Sequence, residues 1–214
     1  MKVLVLGDSI TKGVIFDESK QKYVTIENGF VKKIAESFEK LTIDNLSLMG
    51  STVTRGMTTL ERLGDELESY DYTVIEFGGN DCDFDWAAVA QDPTIDHQSK
   101  TPIMLFKQTY SSLIEKIQSH GSKPIILSLP PIDAQKYFDW VSNGKNSDNI
   151  LKFLGDKQHI ARWQQMYNLA ALDIARKKDT ILFDITTPFL KTTKFEQLYC
   201  RDGIHPNIDG QDFI

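Results

Sequence analysis

The sequence predicts an α/β fold with a parallel central sheet, formed by a single domain over residues 1–214. Short apolar runs alternate with stretches of helical periodicity, which is the pattern of βα layered folds. The first run, Lys2–Leu6, is apolar after its lysine, as expected of a strand buried on both faces. Hydrophobic residues make up 41% of the 214, enough for one core without disulfides or metal ions.

Five strands and four helices follow one another along the chain. The strands are predicted at 2–6, 43–48, 73–77, 124–129 and 180–183, and the helices at 29–40, 57–67, 101–120 and 160–178. In the first helix Phe30, Ile34 and Phe38 recur at helical spacing. The third begins at Thr101-Pro102, with a capping hydroxyl and proline at the first helical position, and ends before Gly121.

Two segments lack clear periodicity and are predicted as long loops, 82–100 and 133–155. Asn143-Gly144 is a turn signal inside the second. Both segments extend from the carboxyl ends of predicted strands. Because loops of this length are uncommon in small domains unless they are functional, we expect them to shape a binding pocket.

The charge balance argues against two classes of partner. The net charge is −6, whereas a nucleic-acid-binding face is basic and a membrane-bound surface is polybasic. No segment reaches the roughly 18 apolar residues of a membrane span. The apolar run after Met1 is too short for a signal peptide, so we expect a cytoplasmic protein that binds neither nucleic acid nor membrane.

Two cysteines, Cys82 and Cys200, do not make a disulfide framework. We expect reduced thiols, as is usual in the cytoplasm. Both lie close in sequence to candidate site residues, which leaves a redox-sensitive contact between them open.

The two ends of the chain carry the groups of serine-based acyl transfer. Ser9 follows the first strand, and Asp202 precedes His205 by three positions. Together they supply a nucleophile, an orienting carboxylate and a base, in the chain order of the α/β hydrolases. Taken alone, Ser9 is better explained as a helix N-cap.

Gly50 and Asn80 follow the second and third predicted strands. Since parallel strands end at one edge of a sheet, both residues should emerge beside Ser9. Gly50 accepts positive φ and close approach of a ligand, and the Asn80 amide can donate to an oxyanion. Each is also an ordinary turn residue.

Two other chemistries fit the sequence less well. Residues 7–13 lack the second glycine of a dinucleotide-binding turn and the ending of a P-loop. Metal-dependent phosphoester hydrolysis would rest on the acidic residues Asp8, Asp81, Asp83, Asp85 and Asp202. No histidine ligand set accompanies them, which favours a solvated acidic rim and no metal site.

Four short blocks occur in order across nearly the whole chain. They are Gly7-Asp8-Ser9-Ile10, Gly50 with its neighbours, Gly78-Gly79-Asn80-Asp81, and Asp202-Gly203-Ile204-His205-Pro206-Asn207. The chain thereby resembles the SGNH, or GDSL-type, hydrolase family. Ile10 stands where leucine is usual, and the second block is a loose match.

The resemblance implies a flavodoxin-like, three-layer α/β/α fold around a five-stranded parallel sheet. It also implies Ser9 as nucleophile, His205 as base and Asp202 as its orienting carboxylate. The oxyanion hole would be formed by the N–H groups of Ser9 and Gly50 and by the side chain of Asn80. Such a site uses no cofactor. The family usually continues into a final helix, which we expect to be very short or truncated at Ile214.

Aromatic residues in the two predicted loops suggest a substrate class. The candidate substrate contacts are Phe84, Trp86 and Trp140, with Asp8 and Asp81, and together they suit a sugar ring. Aromatic residues also commonly anchor loops to a core. We expect a serine esterase acting on short-chain, acetyl, O-acyl esters of a carbohydrate-like or small-molecule alcohol. A lysophospholipase or thioesterase is the first alternative, and a non-catalytic ligand-binding module on the same fold is the second.

Overall fold

The fold consists of seven strands and ten α-helices, described here from a computed structural model of residues 1–214. The strands are β1 (Lys2–Leu6), β2 (Val14–Asp17), β3 (Lys22–Thr25), β4 (Thr42–Asn45), β5 (Tyr72–Ile75), β6 (Lys123–Leu127) and β7 (Ile181–Phe183). The helices are α1 (Ser9–Lys12), α2 (Phe30–Ser37), α3 (Val53–Leu63), α4 (Trp86–Gln91), α5 (Ile103–Ser119), α6 (Ala134–Ser142), α7 (Ser147–Leu154), α8 (His159–Lys177), α9 (Thr186–Lys191) and α10 (Ile208–Phe213). None of the helices combines the length and apolar composition that crossing a membrane requires.

The central sheet has five parallel strands in the order β4-β1-β5-β6-β7. Counting only these strands, the order is 2-1-3-4-5, that of the flavodoxin-like folds, and the predicted fold class is confirmed. The carboxyl ends of β1, β4 and β5 therefore meet at one edge, where such folds bind their ligands.

The side chains of β1 point alternately to the two faces of the sheet and contribute to a separate core layer on each face. Leu4 and Leu6 are buried on one face of the sheet, in the large cluster formed with α3, α5 and α8. Val3 and Val5 are buried on the other face, against α2. Since successive strand side chains point to opposite faces, one continuous apolar strand supports helices on both sides.

The two predicted loops contain helices, which corrects the sequence-based assignment. Segment 82–100 includes α4, and segment 133–155 includes α6 and α7. Asp85, Asp133 and Asn146 cap these helices by accepting hydrogen bonds from main-chain N–H groups in the first turn. Each helix has nine residues or fewer, and the Asn143-Gly144 turn interrupts the second segment, so the sequence-based assignment described both segments as loops. Gly144, with φ of +71°, makes the predicted turn between α6 and α7.

The hairpin of β2 and β3 is absent from the sequence-based prediction. Its four-residue strands pair antiparallel, with Phe16 opposite Tyr23. Both rings stack edge-to-face against Trp140 of α6, with ring centroids 5.1 and 6.2 Å from its ring. The hairpin is therefore fixed by a contact more than a hundred positions away, which no local pattern reveals.

Element boundaries differ modestly from those predicted. Helix α5 begins at Ile103, so Pro102 precedes the helix and no side chain caps it, contrary to the predicted role of Thr101. Gly121 has φ of +80° and follows the end of α5, as predicted. The final segment contains α9 and α10 on either side of the stretch that carries Asp202 and His205, and α10 has six residues.

Candidate active site

Ser9 opens the short helix α1 directly after β1. Asp8 is the N-cap of this helix, and its Oδ1 accepts a hydrogen bond of 2.8 Å from the N–H of Ile10. The cap fixes the turn between strand and helix, and Ser9 is left only 6% exposed. The first N–H groups of a helix have no partner within it, so the N–H of Ser9 belongs to a set of available donors.

Asp202 and His205 lie in a tight turn of the last segment. The N–H of Cys200 donates to the carbonyl of His205, and the N–H of Gly203 donates to the carbonyl of Cys200. Gly203 has φ of +73°, and a Cβ there would lie 2.6 Å from the carbonyl oxygen of Asp133. Only glycine permits this turn to pack against the start of α6.

The structure brings Ser9, His205 and Asp202 together into one chain of hydrogen bonds. His205 Nε2 lies 2.8 Å from Ser9 Oγ, and His205 Nδ1 lies 2.6 Å from Asp202 Oδ2. His205 is 4% exposed and Asp202 is fully buried. The side chains expected to act as nucleophile, base and orienting carboxylate are thus in direct contact, although 196 positions separate Ser9 from His205.

Asp202 is held as a carboxylate despite its burial. Burial alone would raise the pKa of Asp202, but the hydrogen bond and charge of the His205 imidazole, together with main-chain N–H groups, outweigh it. Those N–H groups belong to Ile204 and His205, and both donate to Oδ1 at 3.1 Å. The pKa of Asp202 therefore lies below its ordinary value, because each of these groups favours the charged form.

Gly50 and Asn80 line the same cavity as Ser9. Gly50 has φ of +73° and open space where a Cβ would be, so its main chain faces the cavity without a side chain. The Nδ2 group of Asn80 donates to Asp8 Oδ2 at 2.9 Å. This bond uses one N–H of the amide and leaves the second for a ligand.

A buried glutamate beneath the site was not among the predicted residues. Glu76 directly follows β5 and is fully buried, and its Oε1 has no hydrogen-bond partner. Burial, followed by the charge of Asp8, raises the pKa of Glu76 well above its ordinary value. Burial also raises the pKa of Asp8. The sequence signal was a single acidic residue in the apolar run Val74-Ile75-Glu76-Phe77.

A cavity of about 320 Å³ opens beside Ser9 and His205. Most of its lining side chains are apolar, and they include Phe84, Trp86 and Trp163. Asp8 lines it as well, so three of the five candidate substrate contacts are placed there. Asp83, which the sequence analysis did not select for this role, is fixed at its wall by hydrogen bonds from Trp86 and Tyr137 and an ion pair with Lys100, all within 2.6–2.8 Å.

Two candidate substrate contacts lie elsewhere. Asp81 is fully buried, and its carboxylate accepts the N–H of Val53 at 3.0 Å at the start of α3, so its role is structural. Burial raises the pKa of Asp81 to about 6. Trp140 lies outside the cavity, in a separate shallow groove beside the hairpin, with Phe16 and Arg201. Adjacent side chains of a turn point in different directions, which explains why Asn80 lines the cavity while Asp81 is buried at the start of α3.

Tyr23 is the second site residue that the sequence did not reveal. Its hydroxyl donates to Asp202 Oδ2 at 2.9 Å, and its ring centroid lies 5.0 Å from that of His205. Tyr23 lines both the cavity and the shallow groove. No local signal marks it, because its contact with Asp202 spans 179 positions.

The remaining sequence expectations concern metals and thiols. No three His, Cys, Asp or Glu side chains converge in an arrangement that could hold a metal ion. Cys82 and Cys200 are both buried free thiols. The thiol of Cys82 donates to the carbonyl of Gly79, and Cys200 Sγ accepts the N–H of Phe16, so each thiol has its own contact.

A flavodoxin-like sheet with serine, histidine and aspartate side chains at its carboxyl edge is the architecture of the SGNH hydrolases. The sequence profile of the GDSL-like Lipase/Acylhydrolase family matches residues 5–213, and the chain belongs to this family. The resemblance inferred from the four sequence blocks is thereby confirmed. No curated protein sequence is similar enough to count as a relative.

Solved structures share this fold at low sequence identity. A catalytic mutant of an acetylxylan esterase from Geobacillus stearothermophilus is 17% identical, with a TM-score of 0.68 over 99% of this chain and 89% of the other. A lipase/acylhydrolase from Enterococcus faecalis is 18% identical, with a TM-score of 0.65 over 99% and 90%. The psychrotrophic esterase EstA from Pseudoalteromonas sp. is also 18% identical, with a TM-score of 0.60 over 99% and 90%.

Proposed function

We propose that the chain is a serine carboxylic-ester hydrolase that works through an acyl-enzyme. The observation that carries the proposal is the continuous contact from Ser9 Oγ through the His205 imidazole to Asp202, over 2.8 and 2.6 Å. These distances lie within the range in which a base can take a proton from a nucleophile.

In the first step, Ser9 Oγ attacks the acyl carbon while His205 Nε2 accepts the hydroxyl proton. Asp202 stabilises the imidazolium that forms. The oxyanion receives hydrogen bonds from the N–H groups of Ser9 and Gly50 and from the Asn80 amide, which Asp8 orients through its 2.9 Å bond. His205 then returns the proton to the leaving oxygen, and the alcohol departs.

In the second step, His205 removes a proton from water, and the resulting hydroxide attacks the acyl-enzyme. Collapse of the second tetrahedral intermediate releases the acid and returns the proton to Ser9 Oγ. The imidazole must be neutral to accept a proton in each step, so protonation of His205 would stop hydrolysis. No group beyond these side chains and water is needed.

The substrate that we propose is a short-chain, acetyl, ester of a carbohydrate-like or small-molecule alcohol. An acetyl group fills only a small part of a cavity of about 320 Å³, so the alcohol would occupy the rest. Trp86 and Trp163 offer flat apolar faces to a sugar ring, and Asp83 and Gln164 offer hydrogen bonds at its edges. One fold neighbour described as an acetylxylan esterase supports this choice.

A longer acyl chain is the second candidate, and the cavity lining favours it. Side chains such as Leu129, Ile132, Leu154 and Ile160 make the wall apolar enough to bury several methylene groups. Each buried methylene contributes about 0.8 kcal/mol, so a lipid or thioester acyl chain would gain affinity there.

The deciding experiment compares the wild type with Ser9→Ala on nitrophenyl acetate, butyrate and decanoate at neutral pH. We expect turnover that is best on acetate and falls by about 10⁴–10⁶ in the variant. Ser112→Ala, at an exposed position of α5, is the matched control and should retain full turnover. A decanoate optimum would select the second candidate, and turnover by neither protein would favour a ligand-binding module.

A further inference from the structure

We propose that Tyr23 is a positioning residue of this site, which holds Asp202 through its hydroxyl, covers His205 with its ring, and thereby sets the pH range of hydrolysis. The proposal deepens the proposed function and rests on it. Its evidence is the pair of contacts that Tyr23 makes, 2.9 Å from hydroxyl to Asp202 Oδ2 and 5.0 Å between the tyrosine and imidazole ring centroids.

Tyr23 and His205 share a single carboxylate oxygen. Asp202 Oδ2 receives the Tyr23 hydroxyl and faces His205 Nδ1, whereas Oδ1 is occupied by main-chain N–H groups. A neutral donor on Oδ2 draws electron density from the carboxylate and weakens its attraction for the imidazolium. The tyrosine thus opposes protonation of His205 without adding a charge.

The hairpin fixes Tyr23 from two directions. Its neighbour across the strands, Phe16, lies 5.3 Å from it between ring centroids, and the Phe16 N–H donates to Cys200 Sγ at 3.3 Å. The guanidinium of Arg201 lies over the rings of Phe16 and Trp140 at 5.1 and 5.0 Å. Since Cys200 and Arg201 immediately precede Asp202, these contacts pack the hairpin directly against the turn that carries the carboxylate.

The hydroxyl remains a donor over the whole working pH range. Burial, followed by the negative charge of Asp202, raises the pKa of Tyr23 far above its ordinary value. Other ionisable groups that face this cluster are Asp8, Cys200 and Arg201, with Glu18 and Lys136 further out. Tyr23→Phe leaves all of these side chains in place and removes only the hydroxyl, and with it the bond to Asp202.

The test is Tyr23→Phe, which keeps the ring and removes the hydroxyl. A hydrogen bond of about 0.5–1.5 kcal/mol corresponds to a shift of about 0.4–1 pH unit. We expect the acidic limb of kcat/KM against pH to move upward by that amount. Tyr70→Phe is the matched control, because the Tyr70 hydroxyl donates to Asp44 at 2.8 Å outside the cavity. Acidic limbs that coincide in wild type and Tyr23→Phe would overturn the proposal.

A second measurement does not depend on turnover. In the Ser9→Ala protein, the His205 imidazole can be titrated by NMR with and without Tyr23→Phe, and His97, His120 and His159 serve as internal references. An upward move of the His205 midpoint alone supports the proposal, and an unchanged midpoint contradicts it. If the wild type hydrolyses no ester tested, the proposed function fails while this result still reports on Tyr23.

Discussion

Asp8 and Asp202 are both buried in the site beside Ser9, yet their pKa values are shifted in opposite directions. Asp202, on the side of the base, is fully buried, yet its pKa is lowered. Asp8, on the side of the oxyanion hole, is 2% exposed, and its pKa is raised. Burial raises the pKa of both; it outweighs the surrounding hydrogen bonds at Asp8 and is outweighed by them at Asp202.

Asp202 receives hydrogen bonds from two main-chain N–H groups and a tyrosine hydroxyl, and it contacts an imidazole that becomes a cation. Asp8 accepts one main-chain N–H and the Asn80 amide, and its own N–H donates to Glu76 Oε2 at 3.4 Å. Hydrogen bonds and positive charge favour the ionised form of both aspartates, but at Asp8 they do not outweigh burial.

The difference matches what each side of the site must do. In the proposed mechanism the base side stabilises positive charge on His205, which needs a fixed negative charge at Asp202. The oxyanion side would accept negative charge, and two ionised carboxylates at Asp8 and Glu76 would oppose it. Burial and the charge of Asp8 raise the pKa of Glu76 and so disfavour a second charge beside Asp8.

The largest effect is expected on the base side. Asp202→Asn keeps the shape of the side chain but removes the charge and stabilises the wrong imidazole tautomer, so kcat should fall by about 10⁴. Asp184→Asn is the matched control, because hydrogen bonds to Thr187 and Ser128 also lower the pKa of Asp184. Steady-state kinetics on the best nitrophenyl ester measures both, and an unimpaired Asp202→Asn protein would exclude the proposed triad.

A smaller effect is expected on the oxyanion side. Asn80→Ala removes one donor to the oxyanion and should lower kcat by about 10²–10³, with little change in KM. Asn146→Ala, which loses the cap of α7, controls for a general loss of stability. An effect of Asn80→Ala on KM alone would mean that the amide binds substrate without stabilising the transition state.

The smallest effect concerns stability. Because the pKa of Glu76 is raised on folding, the folded state holds its proton more tightly, and stability is lost as pH rises from about 4.5 through the folded pKa. Glu76→Gln should flatten this decline, and the exposed Glu61→Gln should not. Thermal unfolding is best compared above pH 6, because Asp81, with its pKa raised to about 6, titrates below that in every protein. Parallel curves for wild type and Glu76→Gln would show that Glu76 ionises as it does in the unfolded chain.

Sequence reasoning located the residues that lie in contiguous motifs at strand ends. Ser9, Asn80 and the Asp202–His205 pair are of this kind, since the end of a parallel strand fixes where the next residues emerge. Tyr23 and Glu76 were missed for a different reason. The role of Tyr23 depends on a contact 179 positions away, which leaves no local pattern, and the one sign of Glu76 was an acidic residue in an apolar run.

The same limit explains the errors in the fold. Helices α4, α6 and α7 are short, and beyond their N-caps they are stabilised by apolar faces that pack together in one cluster from segments far apart in sequence. Asp81 was grouped with Asn80 because they are adjacent in one block, although the carboxylate turns inward to α3. Burial of one side chain in a turn is decided by the packing of distant elements.

The distance along the chain between Ser9 and His205 has a consequence for biosynthesis. Proteins are made from the amino terminus, at about 5–20 residues per second, so Ser9 leaves the ribosome well before His205. The last strand of the sheet ends at Phe183, so all five strands exist before His205 has been made. If the proposed mechanism holds, a nascent chain can assemble its sheet before it can cleave esters, because the turn that carries His205 has still to dock beside Ser9.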